Sequence, residues 1–231
     1  MKTPLDHPVW SALTSRQRSF AIATGSARRF DPQVSAFAAY KDAAPESLDA
    51  LSDLMTPGAD RAYLMQATPI ELPPTLEAEV TATGLQLVRQ RPSEDSIGRT
   101  SEEIRVLGDE NIDEMLALAE LTKPGPFTGR TPELGTFWGI RIDGRLAAMA
   151  GERLNMTDFT EISGVCVHPD FRGKGLAAAL SLHVADCISA RGDTAFLHAY
   201  ADNDGALKLY GKLGFVVRTK VNVAIIRRCE A

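Results

Sequence analysis

Cysteine is scarce in this sequence, and long apolar runs are absent. The 231 residues include three cysteines, Cys166, Cys187 and Cys229. They have neither a close pairing nor the spacing of metal ligands, so we expect no disulfide framework and no metal site. The first nine residues have no apolar core and do not resemble a signal peptide. No apolar run approaches the roughly 18 residues that a membrane span needs. We therefore expect a cytoplasmic protein.

An excess of basic side chains is also absent. Lys and Arg number 25 against 30 Asp and Glu, which gives a net charge of −5. Binding to nucleic acid or to an anionic membrane favours a cationic surface, so we expect neither as a partner. The balance changes along the chain, because residues 164–231 hold nine basic and six acidic side chains. An anionic ligand is thus compatible with the last third of the sequence.

A polar segment at 91–100 divides the sequence into two units, 1–98 and 99–231. With about 150 residues per domain as a guide, the length lies between one and two domains. Spacing and turn residues predict the elements of the first unit: a broken helical region over 11–39, helices over 46–55 and 76–82, and strands over 61–67 and 85–90. The first unit is therefore interpreted as a smaller α/β lobe.

The second unit has a clearer alternation of strands and helices. Asp143-Gly144 between two apolar segments is a strong signal of a β-hairpin. Apolar spacing and Gly or Pro stops predict the other elements: strands over 103–107, 137–142, 145–154, 159–168 and 195–200, helices over 110–121, 175–190 and 204–213, and two strand segments within 215–228. This alternation predicts an α/β fold.

A basic, glycine-containing turn joins a strand to a helix in the second unit. The strand ends at Pro169, and Arg172-Gly173-Lys174-Gly175 leads directly into a helix rich in small residues. Free backbone N–H groups and the positive end of the helix dipole meet there, and glycine lets a ligand approach the main chain. We predict a ligand that carries phosphate. The spacing fits neither the nucleoside-triphosphate loop nor the dinucleotide fingerprint. The alternative is a plain turn in which the glycines serve only the connection.

A second motif lies downstream. Asn203, Ala206 and Tyr210 fall at i, i+3 and i+7, which places them on one face of a predicted helix that Gly214-Phe215 follows. The alternative for Tyr210 is a core aromatic residue. The two motifs, in this order and with a strand between them, resemble the GNAT superfamily of acyl-CoA-dependent N-acyltransferases. The resemblance covers roughly 103–231.

The resemblance implies a fold, a cosubstrate and a set of site residues. The fold would be an α/β domain whose mixed central sheet is splayed, and the first unit would be a lobe that shapes the acceptor side, with a degenerate copy of the same fold as one candidate. Acetyl-CoA or another acyl-CoA would be the cosubstrate, without a metal. Its pyrophosphate would lie on the loop formed by Arg172, Gly173, Lys174, Gly175, Leu176 and Ala177. Its pantetheine arm would lie along Val165, Cys166 and Val167, with Asn203 and Ala206 lining the CoA side. Tyr210 would protonate the departing thiolate.

Glu161 is the predicted general base. It stands near the start of the strand that leads to the loop, and strict alternation places it on one face with Ser163, Val165 and Val167. The alternative is a solvated or ion-paired carboxylate. Cys166 has no His and Asn or Asp constellation around it, so a covalent mechanism is disfavoured. His198 is expected to be packed or solvated.

These expectations combine into a hypothesis about function. The protein would transfer an acyl group, most simply acetyl, from acyl-CoA directly to an amine in a ternary complex. The acceptor would be a small amine, an amino acid or a peptide N-terminus. The rival hypothesis is a non-catalytic acyl-CoA-binding or regulatory module on the same fold. A nucleotide-phosphate-binding protein of another class is a third possibility.

Overall fold

The computed structural model describes residues 3–91, 93, 98 and 100–230. Its helices within these residues are α1 (Pro8–Leu13), α2 (Pro45–Asp53), α3 (Ile112–Thr122), α4 (Leu176–Ala190) and α5 (Asp204–Lys212). The strands are β1 (Ala21–Thr24), β2 (Ala27–Phe30), β3 (Ala38–Tyr40), β4 (Arg61–Gln66), β5 (Leu76–Arg89), β6 (Ile104–Leu107), β7 (Phe137–Ile142), β8 (Arg145–Met156), β9 (Phe159–Val167), β10 (Thr194–Tyr200) and β11 (Phe215–Arg228). No helix in this part of the chain is long and apolar enough to cross a membrane.

Eight strands form one mixed sheet in the order β4-β11-β5-β10-β9-β8-β7-β6. Neighbouring strands are antiparallel except β9 and β10, which run parallel and are joined through α4. Helices α4 and α5 pack on one face of the sheet, and α1 and α3 pack on the other. The predicted α/β fold with a mixed sheet is confirmed.

The first hundred residues contribute directly to this sheet. β5 lies between β10 and β11 and pairs with β11 from Arg89–Phe215 to Leu76–Arg228, while β4 extends the sheet beyond β11. The expected division into units 1–98 and 99–231 therefore cuts through one sheet, because a long antiparallel strand from the first unit completes the second. Among the residues that the structure describes, only β1, β2 and β3 form a sheet of their own, packed against α1 and α2. Of the segment 91–100, residues 92, 94–97 and 99 lie outside the described residues.

Two stretches predicted as helical are strands. The region 11–39 holds the β1–β2 hairpin, whose turn contains Gly25 with a φ of +46°, and most of β3. The region 76–82 is the first half of β5, where pairing with β11 overrides the local helical spacing. The last predicted pair of strand segments is one strand, β11, with an irregularity between Val217 and Thr219.

The central sheet is splayed between its two parallel strands. β9 and β10 pair only from Phe159–Thr194 to Ile162–Leu197, although both strands continue beyond that point. Gly164 has a φ of +64° and lies in a bulge where the pairing with β8 shifts register. A Cβ at Gly164 would also lie 2.9 Å from the ring of Phe137, so the close packing requires glycine as well.

The bulge changes the side of the sheet on which the later residues of β9 lie, so the predicted alternation does not hold along the whole strand. Val165 and Val167 pack with Ile162 in the core below α4, whereas Cys166 packs with residues of α3 on the opposite face. Glu161 is the neighbour of Ile162 and lies on the face opposite to it. Glu161 therefore does not share a face with Val165 and Val167, because one extra residue reverses the side on which later side chains lie.

Candidate active site

A cavity of roughly 430 Å³ occupies the region where β9 has separated from β10. The predicted ligand-binding residues that line it are Val165, Cys166, Val167, Arg172, Gly173, Gly175, Leu176 and Ala177. Four further lining residues were not predicted: Thr122, Phe171, Ala178 and Leu209. Thr122 is the last residue of α3, so the cavity reaches from the basic loop to the opposite face of the sheet. Local sequence spacing carries no signal for that approach of α3, which depends on tertiary packing.

The loop before α4 has the properties of an anion cradle. Gly173 and Gly175 have φ values of +79° and +73°, and a Cβ on either would meet no other atom within 4 Å. The glycines therefore leave open space above a left-handed backbone, and packing does not require them. Gly175 immediately precedes the 15-residue helix α4, whose first turn has no side-chain cap. The free N–H groups and the positive end of the helix dipole favour a negatively charged ligand at this place.

Three basic side chains lie beside the cradle. Arg172 lines the cavity, whereas Lys174 is not among its lining residues. The ammonium of Lys174 lies 5.5 Å from the centre of the Phe171 ring, and the guanidinium of Arg145 lies 5.2 Å from the same ring. Such cation–π contacts hold positive charge beside the loop.

Cys166 lies in the cavity wall as a buried thiol. Burial raises the pKa of Cys166 to about 11, although a hydrogen bond with the Thr122 side chain partly offsets that effect. At neutral pH the group is therefore a thiol, which is a poor nucleophile. This protonation state agrees with the expectation that Cys166 does not form a covalent intermediate.

Helix α5 carries the second motif, formed by Asn203, Ala206 and Tyr210, close to the cavity, but the side chains of the motif are not part of the cavity wall. The side-chain oxygen of Asn203 accepts a hydrogen bond from the N–H of Ala206 at 3.1 Å and so caps the helix. Tyr210 is buried in the core, where its ring meets Phe215 edge-on at 5.9 Å. Burial raises the pKa of Tyr210 to about 12. Among Asn203, Ala206 and Tyr210, none lines the cavity, but the neighbouring Leu209 does.

Glu161 is fully buried and bound on all sides. Its carboxylate accepts hydrogen bonds from Arg153 Nε at 2.9 Å and Arg153 Nη2 at 2.7 Å, and Oε1 lies 2.6 Å from Nδ1 of His198. Burial alone would raise the pKa of Glu161, but the charge of Arg153 and these hydrogen bonds lower it to about 2. So acidic a group, absent from the cavity wall, does not fit the predicted role of direct general base, whose pKa should lie near the working pH.

The hydrogen bonds around His198 indicate which ring nitrogen donates and which accepts. Nη1 of Arg218 donates to Oε1 of Gln86 at 2.8 Å, so the amide nitrogen of Gln86 must face Leu5 O and Nε2 of His198, at 2.9 and 3.1 Å. Because that nitrogen only donates, Nε2 of His198 accepts, and the ring proton sits on Nδ1 and is donated to Glu161. Sequence analysis missed this network, since its members come from distant segments.

The sequence is similar to a known protein family and to curated acetyltransferases. The sequence model of a family described as FR47-like protein matches residues 137–223. A "[Ribosomal protein bS18]-alanine N-acetyltransferase" of Salmonella typhimurium is 37% identical over 90 residues, which are 38% of this chain and 56% of that protein. The Escherichia coli K12 protein of the same name is 36% identical over 87 residues, or 54% of its length. The chain thus spans about half the length of the curated relatives it matches.

Solved structures extend the likeness to the whole chain. A GCN5-related N-acetyltransferase from Kribbella flavida has a TM-score of 0.59 at 18% identity, covering 94% of this chain and 92% of its own, which supports the fold alone. A structure from Novosphingobium aromaticivorans, assigned to the GNAT family of acetyltransferases, is 39% identical with a TM-score of 0.90 and covers 99% of this chain and 100% of its own. On this full-length similarity, the chain belongs to the GNAT family of acetyltransferases.

Proposed function

We propose that this protein is an N-acetyltransferase that moves an acetyl group from acetyl-CoA directly to an amine. The observation that carries the proposal is the continuity of the cleft. The anion cradle at Gly173 and Gly175 opens into the same cavity as the end of β9 that is paired with β8 but not with β10. A phosphate group and an extended arm that ends in a reactive carbonyl therefore have adjoining places in one site.

The residues present fit acetyl-CoA. The cradle N–H groups and Arg172 would hold the pyrophosphate, and the main chain at Val165, Cys166 and Val167, free of β10, would bind the pantetheine arm. Bound acetyl-CoA supplies a thioester, an acetyl group activated for attack by an amine. Direct attack is favoured here because Cys166 remains a thiol, so no side chain in the cavity wall offers a competing thiolate.

The proton movements are assigned to different groups. We propose Tyr210, which follows the cavity-lining Leu209 in α5, as the group that donates a proton to the departing sulfur, because its hydroxyl is protonated at neutral pH. The residues that line the cavity include no carboxylate and no imidazole. The proton lost by the amine would therefore leave through water, and Glu161 would act as a positioning residue that holds Arg153 and His198.

The acceptor proposed is the α-amine of a peptide or protein. The name of the curated relatives specifies an alanine of a ribosomal protein as their acceptor. Within a protein, alanine offers a free amine only at the N-terminus. For this chain the acceptor class is carried over as a proposal, and small amines and free amino acids are the alternatives to be compared.

The function is tested by combining a binding assay with a turnover assay. We expect acetyl-CoA, but neither ATP nor NAD, to raise the melting temperature, and we expect thiol release when an amine is added. The amine panel should contain an alanine-terminated hexapeptide, its N-acetylated form, free alanine and a small primary amine. Binding without turnover on any amine would contradict the enzyme and favour the non-catalytic module. Preference for ATP or NAD would contradict both.

A further inference from the structure

Half of β5 has an open edge, although the strand lies inside the order of the sheet. β10 pairs with β5 only as far as Tyr200–Gly84, whereas β5 continues to Leu76. Beyond Gly84 the strand is paired with β11 on one side only. Val80 is 51% exposed, and Thr81 and Thr83 are exposed as well. An open strand edge of this kind is a template for another strand.

Regular pairing groups are available along a short part of this edge. The carbonyl of Thr83 points to the open side, where it receives only a long bond of 3.4 Å from the N–H of Ala201. By the alternation of a strand, the N–H and C=O of Thr81 point the same way. No described residue forms a backbone hydrogen bond to them on that side. A register shift against β11 at Glu79 ends the regular edge, so about four residues of a partner strand fit.

A second cavity adjoins the same edge. It has a volume of roughly 580 Å³ and is lined by Ile70, Leu72, Thr81, Thr83 and Asn222, among others. Strand addition combines main-chain hydrogen bonds, which provide affinity, with pockets for alternate side chains, which provide specificity. Both features occur here at one place. The cavity is separate from the cleft beside β9, since the two share no lining residue.

The direction of the edge relates it to the cleft. A strand added antiparallel to β5 continues the line of β10, and its N-terminus lies next to Ala201. The parallel pairing ends at Leu197–Ile162, and from there β9 passes the bulge at Gly164 to reach Cys166 in the cleft wall, while β10 continues towards Ala201. Ala201 and Cys166 therefore both lie at the end of the sheet where the two strands have separated. The exposed carboxylates of Asp202 and Asp204 follow immediately and favour a positive charge. The N-terminal ammonium of an added strand would therefore lie at the end of the sheet nearest the cleft, beside carboxylates of opposite charge.

We propose that an acceptor peptide binds by adding its first residues as a strand to Val80–Thr83 of β5, with its α-amine directed into the cleft. The inference rests on the proposed function and specifies its acceptor as an extended peptide. Recognition would combine main-chain pairing, which tolerates many sequences, with one side chain placed in the cavity beside Thr81. A second copy of this chain is the competing occupant of the edge.

N-methylated peptides test the pairing without any change in the protein. A series of alanine-terminated hexapeptides, each with one N-methylated backbone amide at residues 2 to 5, is compared by kcat/KM, with a small primary amine as reference substrate. Strand addition predicts losses of about tenfold at alternate positions and little change between them, because only every second amide faces the edge. A uniform effect, or none, overturns the inference. Turnover of the small amine shows independently whether the proposed function holds.

Two variants of Thr81 test whether the edge of β5 takes part in peptide binding. Thr81→Pro removes the open N–H, which an edge position tolerates, while Thr81→Val keeps it. We expect the proline variant to lose about tenfold in kcat/KM for the peptide and nothing for the small amine, with the valine variant near wild type.

Amide exchange gives a readout that needs no turnover. In the wild-type protein with CoA, adding the hexapeptide should slow exchange at Thr81 and Thr83, and the N-acetylated peptide serves as control for the free amine. Unchanged exchange at both residues overturns the inference. So does sedimentation that shows a dimer abolished by Thr81→Pro, because the edge would then belong to a second copy.

Discussion

Nδ1 of His198 lies 2.6 Å from Oε1 of Glu161, at the buried end of a chain of hydrogen bonds that begins at the N-terminal segment. Asp6 binds Arg218, Arg218 fixes the amide of Gln86, and Gln86 donates to His198. The carboxylate at the other end is ion-paired with Arg153, whose guanidinium lies 4.7 Å from the centre of the Phe37 ring. The network joins the first 40 residues to β9 and β10 beside the point where these strands separate. It is a structural link with consequences for stability.

Glu161→Gln should strongly destabilise the protein. The substitution removes the charge that compensates Arg153, whose side chain is only 11% exposed, and losing one partner of a buried pair costs about 3–5 kcal/mol. The free energy of unfolding in urea measures the effect. Glu133→Gln is the matched control, since Glu133 also binds one arginine through two hydrogen bonds but is 43% exposed. For Glu133 the expected loss of stability is much smaller, because solvent screens an exposed ion pair. Equal costs at the two sites would contradict the structural role of Glu161.

A low pH should remove the contribution of Glu161 to the free energy of unfolding. The native pKa of about 2 lies below the ordinary value of 4.5, so the ionised carboxylate stabilises the folded state above pH 4.5. This contribution declines as the pH falls from 4.5 towards 2, because the unfolded chain takes up the proton first. The difference in unfolding free energy between wild type and Glu161→Gln should therefore narrow over that interval. A difference in unfolding free energy that stays constant over this pH interval would show that the Glu161 carboxylate is not the source of the stabilisation.

Most residues that line the cleft could be predicted from the sequence because they lie close together along the chain. The loop from Arg172 to Ala177 combines glycine, charge and a helix start within a few residues, and six consecutive positions are enough to recognise it. The position of Glu161 is not predictable, for the opposite reason. Its partners Arg153 and His198 reach it only through strand pairing, and the bulge at Gly164 reverses the alternation on which its position was predicted. No local pattern announces such a bulge.

The fold was likewise predictable where elements are consecutive. The hairpin of β7 and β8 follows from Asp143-Gly144, and α4 follows from its apolar spacing. The place of β5 was not predictable in this way, because its partners β10 and β11 lie more than a hundred residues later in the chain. Pairing between distant segments is decided by the complete sheet, and a helical spacing over 76–82 is then overridden.

Gly173→Ala should weaken acetyl-CoA binding by about tenfold or more. The added methyl group would occupy the open space above the cradle and remove the close approach of a phosphate to the main chain. Gly192→Ala is the matched control, because Gly192 also has a positive φ, +88°, and no atom within 4 Å of an added Cβ, but it follows the far end of α4. Both variants bear a similar backbone strain of about 1–2 kcal/mol. Calorimetric titration with acetyl-CoA distinguishes them, and equal affinities would place the pyrophosphate elsewhere.

Tyr210→Phe should lower turnover by about a hundredfold while leaving acetyl-CoA affinity nearly unchanged. The expectation follows from the raised pKa of Tyr210, which keeps the hydroxyl available as a donor, and general acids contribute about 10²–10⁴ in rate. The variant keeps the aromatic ring against Phe215, so its stability should change little. Steady-state kinetics and titration with acetyl-CoA measure the two effects separately.

Tyr40→Phe provides the comparison that makes the result specific to Tyr210. Tyr40 is also a buried tyrosine with a raised pKa, but its hydroxyl contacts the Gln66 side chain and accepts from the N–H of Glu71, in a core cluster without any residue of the cleft. Removing that hydroxyl should cost about 1–3 kcal/mol of stability, because buried partners lose their hydrogen bonds, and should leave kcat unchanged. The two variants are thus expected to show opposite patterns. Wild-type turnover in Tyr210→Phe would exclude Tyr210 as the proton donor and leave water as the source of the proton on sulfur.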